Sequence, residues 1–156
     1  MELQRACDVA SLPDKDEVRD WIEAAADASG RARDSALEVV VRIVDEQESR
    51  DLNKRFRRKD RPTNVLAFAA DPADLESLPP TSRVPLGDLA ICGPLVEREA
   101  REQGKTAAAH WGHLLVHGTL HLLGYDHRTE AEAGEMERLE TRIMADRGFE
   151  DPYTVR

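Results

Sequence analysis

His117-Gly-Thr-Leu-His121-Leu-Leu-Gly124-Tyr-Asp-His127 is the stretch from which the rest of the chain can be read. It closes an apolar run, Ala107 to Leu123, that carries His110, His113, His117 and His121. The run predicts a helix over 106–123, capped by Thr106 and stopped by Gly124. It is too short and too interrupted to span a bilayer. On such a helix His117 and His121 lie about 40° and one turn apart, so the two imidazoles share a face. Gly124 lets the chain turn back, and His127 can return as a third ligand. Three neutral imidazoles around one Zn²⁺ leave a fourth position for water, the pattern of a catalytic site and not of a closed structural one. A metal-bound water in that position has a pKa of about 7 and serves as a nucleophile at neutral pH. Nickel, iron and cobalt also accept three imidazoles. The expectation is one divalent metal per chain, Zn²⁺ or another transition metal, on His117, His121 and His127.

The same ligand spacing occurs in the metzincin proteases, H-E-x-x-H-x-x-G-x-x-H. Those enzymes need a glutamate after the first histidine. Gly118 stands there instead, so the general base of peptide hydrolysis is missing. Met136 and Met144 fall in the last expected helix, so neither forms a Met-turn. The other histidines lie on the same helical stripe. His113 is about 12 Å along the axis from His121 and cannot share one ion with it. It either supports the ligands from behind or packs; His110 is read as structural. Asp126 either orients an imidazole or caps the turn with its carboxylate. Tyr125 is read as a packing or loop-anchoring residue.

Working outward, the pattern alternates helices and short strands. Pro13-Asp14 opens a helix whose apolar side is Trp21, Ile22, Ala25 and Ala28, ended by Gly30. Ala36 to Val44 is short and β-branched, so it reads as a strand. Asp45 to Arg57 reads as a helix, Asn64 to Ala69 and Leu86 to Cys92 as strands, and Gly93 to Gln103 as a helix. Asp71 to Pro85 carries four prolines and reads as a loop. Thr129 to Arg147 reads as a final helix. The sum is an α+β fold: one domain over 1–156, a small mixed sheet packed with helices, with the metal site on a helix and the loop after it.

Composition agrees. The 156 residues are 34% charged and 40% hydrophobic, the balance of a globular protein and not of a collagen-like or disordered chain. Cys7 and Cys92 are the only cysteines, too few for a disulfide framework or a cysteine zinc ribbon. The start lacks a secretory apolar core, so a cytoplasmic location is expected. The net charge of −9 argues against indiscriminate polyanion binding.

One segment runs against that charge. In Lys54-Arg55-Phe56-Arg57-Arg58-Lys59-Asp60-Arg61, six of eight residues are basic. It is either a phosphate-binding patch that includes Arg55, Arg58, Lys59 and Arg61, or a solvated helix end complementing its own dipole. A metal-activated nucleophile and a phosphate-binding arginine together suffice for phosphodiester cleavage. Glu130, Glu132, Glu135, Glu137 and Glu140 read as a solvated helix face, or as a dock for a basic protein.

The histidine stretch resembles the signature of the YbeY family of bacterial rRNA maturation factors and endoribonucleases. Leu52-Asn53 through Arg57, with Lys59-Asp60-Arg61-Pro62-Thr63-Asn64-Val65-Leu66, resembles the family's R-x-K-D-x-P-T-[DN]-V-L-S-F segment. Leu86-Gly87-Asp88-Leu89-Ala90-Ile91 resembles its L-G-D-[IL]-x-I strand, and Glu135-Met136-Glu137 with Gly148-Phe149 its closing helix. Ala67 and Ala69-Ala70 depart from the pattern without touching a ligand. The resemblance implies a zinc-dependent endoribonuclease specific for single-stranded RNA. It would act in small-subunit rRNA 3′-end maturation and ribosome quality control. The implied partners are rRNA and the small subunit or its assembly proteins, with neither DNA nor membrane. The family's functional arginine falls on Arg57, as a contact to RNA phosphate. The chief alternative is a metal-bearing ribosome-assembly factor with little nuclease activity; a metalloprotease is opposed by Gly118.

Overall fold

The computed structural model describes residues 1–30, 37–71 and 84–154. Among them one sheet contains β1 (Glu2–Arg5), β2 (Leu37–Val44), β3 (Val65–Ala69) and β4 (Val84–Cys92), in the order β1-β2-β4-β3. β1 and β4 both run parallel to β2, and β3 runs antiparallel to β4. Five helices are described: α1 (Lys15–Ser29), α2 (Glu46–Arg57), α3 (Gly93–Glu102), α4 (Ala107–Leu122) and α5 (Glu130–Asp146). This is the anticipated α+β fold with a small mixed sheet.

The two inner strands explain the core. Val39, Val41 and Ile43 of β2 and Leu89 and Ile91 of β4 are buried, as β-branched and apolar residues are in a central parallel pair. Helix α4 covers them. Its Trp111, Leu114, Leu115, Val116 and Leu120 are buried, so apolar residues surround most of the helix and leave little for solvent. α1, α3 and α5 pack against it, and its C-terminal half faces β3 and β4. The histidines therefore sit on the one flank of α4 that its neighbours do not cover with apolar side chains.

The helix ends follow the sequence. Asp14, Asp45, Thr106 and Thr129 each accept a backbone N–H three residues on, the arrangement of a side-chain N-cap. Two segments differ from expectation. Glu2–Arg5 is a strand that the sequence reading left unassigned. Val84 and Pro85, read as the end of a loop, belong to β4. Pro85 is tolerated there because the ladder to β2 is irregular between Glu38 and Val39, and a strand proline belongs at such a bulge. The rest of that expected loop, residues 72–83, and Ala36 lie outside the described residues.

Candidate metal centre

His117 and His121 project from the last turns of α4, with their Nε2 atoms 3.1 Å apart. The backbone then reverses. Gly124 adopts φ 96°, a conformation that costs a residue with a side chain far more than glycine. Tyr125 N–H donates to the Leu120 carbonyl at 3.0 Å. His127 comes back so that its ring centre lies 5.2 Å from that of His121 and 6.1 Å from that of His117. One nitrogen from each of the three imidazoles lies within 4.8 Å of the others.

Asp126 holds the loop. Its Oδ1 accepts from the His127 backbone N–H at 2.7 Å and its Oδ2 pairs with Arg128 Nε at 2.8 Å. Its carboxylate therefore binds backbone and guanidinium, the turn-capping alternative of the two that the sequence left open. Tyr125 is buried and its hydroxyl donates to the Ser29 carbonyl at 3.4 Å, so it anchors the loop to α1.

A carboxylate that the sequence reading assigned to solvent organises the histidines. Glu130, Glu132, Glu135 and Glu137 are exposed on α5, but Glu140 is fully buried. Its Oε1 accepts from His117 Nδ1 at 3.2 Å, and its Oε2 from His113 Nε2 and, at 2.8 Å, from the Tyr153 hydroxyl. The reading of all five glutamates as one solvated face is thus corrected at Glu140. Burial alone would raise the Glu140 carboxyl, but hydrogen bonds from His113 and His117 hold it down at about 2 against an ordinary 4.5. It stays ionised because donors meet it on both oxygens. The signal was present in the sequence: Glu140 shares its helical stripe with Met136, Ile143 and Met144, all buried.

His113 stands behind this carboxylate, its Nε2 on Glu140 Oε2. Burial, above all, holds its imidazole below the ordinary value. Its Nδ1 is buried without a partner, which suits a neutral ring donating through Nε2. His110 is structural, as expected: its Nε2 meets Glu99 Oε1 at 2.9 Å, where Asn64 also donates at 3.1 Å.

A cationic wall shares one cleft with the histidines. The cleft, of about 810 Å³, is lined by Arg57, Lys59 and Arg61 and by His117, His121, His127 and Arg128. Arg57 Nη2 donates to the Ala67 carbonyl at 2.9 Å, and its guanidinium lies 5.4 Å from the Phe68 ring centre. Arg55 and Arg58 are not part of this lining. Arg55 lies over the Phe56 ring, and Arg58 caps α2 with φ 58°. Lys54, Arg55 and Arg57 occupy the last turn of α2, where cations also complement the helix dipole. Arg128, a further cation on the cleft, escaped the sequence reading because it stands outside the basic run.

The donor set fits a divalent metal. Burial foremost, then the neighbouring His117 and His127, holds the His121 imidazole below its ordinary value, so it is neutral and able to ligate near pH 7. Glu140 takes the Nδ1 side of His117 and leaves Nε2 turned towards His121, the outer-sphere arrangement that orients metal-binding imidazoles. A family profile described as Endoribonuclease YbeY matches residues 3–148. The chain belongs to the YbeY family. It is 53% identical over 154 residues to Endoribonuclease YbeY of Pseudomonas entomophila, a match covering 98% of this chain and 92% of that protein. With Endoribonuclease YbeY of Halorhodospira halophila it shares 51% identity over 148 residues, 94% of this chain and 92% of that one. The solution structure of a Thermotoga maritima protein has the same fold, with TM-score 0.55 and 23% identity over 97% of this chain and 99% of that one. The profile match begins within the N-terminal strand β1.

Proposed function

We propose that this protein is a metal-dependent endoribonuclease that cuts single-stranded RNA, with Zn²⁺ on His117, His121 and His127, in one domain spanning 1–156. The observation that carries the reading is that three converging imidazoles and the cations Arg57, Lys59 and Arg61 line one cleft. A bound Zn²⁺ would supply Lewis acidity at the phosphoryl oxygen and a nucleophile at neutral pH. The chain's own groups do the rest. The Ala67 carbonyl holds Nη2 of the Arg57 guanidinium at 2.9 Å and the Phe56 carbonyl meets Nη1 at 3.5 Å, leaving Nε–H and the second hydrogen of each arm to grip a phosphate and balance its developing charge. Lys59 and Arg61 track the flanking backbone. Glu140 keeps His117 in the ligating tautomer.

The place of action we propose is the one that the family resemblance implies: small-subunit rRNA 3′-end maturation and ribosome quality control in the cytoplasm, with the small subunit or its assembly proteins as partners. Among the described residues no helix is long and apolar enough to cross a membrane. Peptide hydrolysis is disfavoured on packing. A Cβ at Gly118 would stand 2.8 Å from Leu89 Cδ2 and 3.2 Å from Val65 Cγ2, so the position of the missing protease glutamate faces the sheet. The test compares cleavage of a short single-stranded RNA with that of a peptide, with and without chelator, for wild type, His121→Ala and Arg57→Ala. RNA cleavage by the wild type alone, stopped by chelator, supports the reading. Metal retained without any RNA cleavage would favour an assembly factor that binds and does not cut.

A further inference from the structure

The stretch that matches the family profile stops at residue 148, yet the chain beyond it reaches the metal centre. Among the described residues Tyr153 is one of two large apolar or aromatic side chains that are markedly exposed, at 43%, but its hydroxyl points inward and donates to the fully buried Glu140 at 2.8 Å. Its ring stands edge-on against His113, with centres 5.3 Å apart and planes at 80°. We propose that Tyr153 is a positioning residue for the metal site, fixing the Glu140 carboxylate so that Oε1 is presented to His117.

The argument is one of donors and oxygens. The carboxylate has two oxygens and one free rotation. Oε2 receives two donors, His113 Nε2 and the Tyr153 hydroxyl, while Oε1 receives His117 Nδ1. Two donors converging on Oε2 pin the carboxylate plane and leave Oε1 committed to His117. Without the hydroxyl, Oε2 keeps only the His113 donor, the carboxylate is freer to turn, and the His117 tautomer is less strictly set. Tyr153 is suited to the part. Burial and the adjacent Glu140 push its phenol well above the ordinary range, so it remains a donor.

The tail is built to deliver it. Lys105 Nζ donates to the Pro152 carbonyl, Pro152 itself is buried, and Asp151 Oδ1 accepts from the Tyr153 backbone N–H at 2.9 Å. Thr141 of α5 donates to the same Asp151 oxygen at 3.5 Å. With the ring contact to His113, these bonds tie the tail to α4, α5 and the turn before α4. No described residue of the tail lines the RNA cleft, so its route to the metal site runs through Glu140 and His113.

This inference rests on the reading of His117 as a metal ligand, and its test separates the two. The variants are Tyr153→Phe, which keeps the ring against His113 and removes only the hydroxyl, and Tyr153→Leu, which removes both. The first readout is made without metal: the ¹⁵N chemical shifts of the histidine side chains, which report tautomers directly. The wild type should show His117 protonated at Nδ1, and Tyr153→Phe should show mixed tautomers at His117 with an unchanged unfolding midpoint. The second readout is transfer of Zn²⁺ to a chelator, which should be about 10-fold faster for Tyr153→Phe, at the mild end of outer-sphere effects. Tyr153→Leu should match Tyr153→Phe in both. A wild-type tautomer in Tyr153→Phe overturns the inference, and so does an effect confined to Tyr153→Leu, which would mean packing alone. If the wild type takes up no Zn²⁺, the metal reading fails, while the tautomer measurement still decides the role of Tyr153.

Discussion

The two walls of the cleft are built on opposite rules. On the histidine side His117 is fixed by a buried carboxylate, which is itself held by His113 and Tyr153. On the arginine side the cations are exposed, and Arg57 is tied by a hydrogen bond to a strand carbonyl. The difference follows from what each wall must hold. A metal ion accepts ligand distances within a few tenths of an ångström, so its ligands need rotamers and tautomers set in advance. A single-stranded polyanion is itself flexible, so charge at the right face matters more than fixed geometry. The lesson is that the stability and the function of this molecule meet on one wall only. Changes on the histidine side should disturb both, and changes on the arginine side should disturb RNA alone.

The largest effect should come from His121→Ala. Two imidazoles remain, and neither the metal nor the cleavage survives at neutral pH. The loss amounts to several kcal/mol of transition-state stabilisation, read as RNA cleavage at background and metal content below stoichiometry. Arg57→Ala should come next and behave oppositely. It should keep stoichiometric Zn²⁺ while kcat/KM for single-stranded RNA falls about 10²–10³-fold, the usual loss for one preorganised donor. Arg57→Lys should restore little, because one ammonium cannot both reach Ala67 and fork onto a phosphate. If Arg57→Ala also lost metal, the division between the walls would be broken.

Glu140→Gln probes the histidine wall from behind. A carboxamide offers one oxygen to three donors and turns an NH₂ group towards them. Zn²⁺ affinity should fall about 10–100-fold, measured by competition with a chromophoric chelator. The matched control is Glu99→Ala, which strips the partner from His110 and Asn64 instead. It should cost about 1–3 kcal/mol of stability by leaving buried donors unmet, with Zn²⁺ affinity unchanged. Acid should reveal the same carboxylate in metal-free protein. Glu140 is held at about 2 when folded against 4.5 ordinarily, so its contribution is present above pH 4.5 and drains away as pH falls from there towards 2. His113, held low by burial, adds to the loss as it is forced to charge below its ordinary value of 6.5. The unfolding free energy read from urea titrations should therefore drop between pH 5 and 3, by on the order of 1–2 kcal/mol attributable to Glu140, and Glu140→Gln should flatten that part of the slope.

How much of this could be read in advance differs between the walls. The three converging histidines were legible because they lie close in sequence: a helical turn and a glycine reversal bring 117, 121 and 127 together by local geometry alone. The core strands were legible because β2 and β4 are runs of apolar residues. β1 was not, since Glu-Leu-Gln-Arg offers one apolar side chain and becomes a strand only through parallel pairing with β2, a contact across more than thirty residues. Glu140 was hidden in an acidic helix where net charge spoke louder than position; its place on the Met136–Ile143 stripe was the better guide. Tyr153 carried no signal, because nothing in a terminal Asp-Pro-Tyr-Thr tells which buried group its hydroxyl will meet. On the arginine wall the basic run was visible, but which cations face the cleft depends on where α2 ends. The left-handed cap at Arg58 turns the chain, sending Lys59 and Arg61 to the cleft and leaving Arg55 and Arg58 outside it.

That last division yields the smallest and most discriminating effect. Binding of a short single-stranded RNA to metal-stripped protein, titrated over salt, counts the phosphates that are neutralised. Lys59→Ala and Arg61→Ala should each weaken binding uniformly across sequences and lower the slope of log affinity against log salt by about 1. Arg55→Ala and Arg58→Ala should leave the slope unchanged, although they remove the same charge from the same eight-residue run. Equal slopes for all four would mean that the wall acts as a diffuse field, to which every cation contributes by distance alone. Unequal slopes would mean that the cleft lining, and not the charge of the segment, determines where the RNA lies, so that the path of the strand is set by the turn at Arg58. Arg128→Ala then gives the finer comparison. Its guanidinium is shared with Asp126, so part of its charge is already neutralised, and its slope change should fall below that of Lys59 or Arg61.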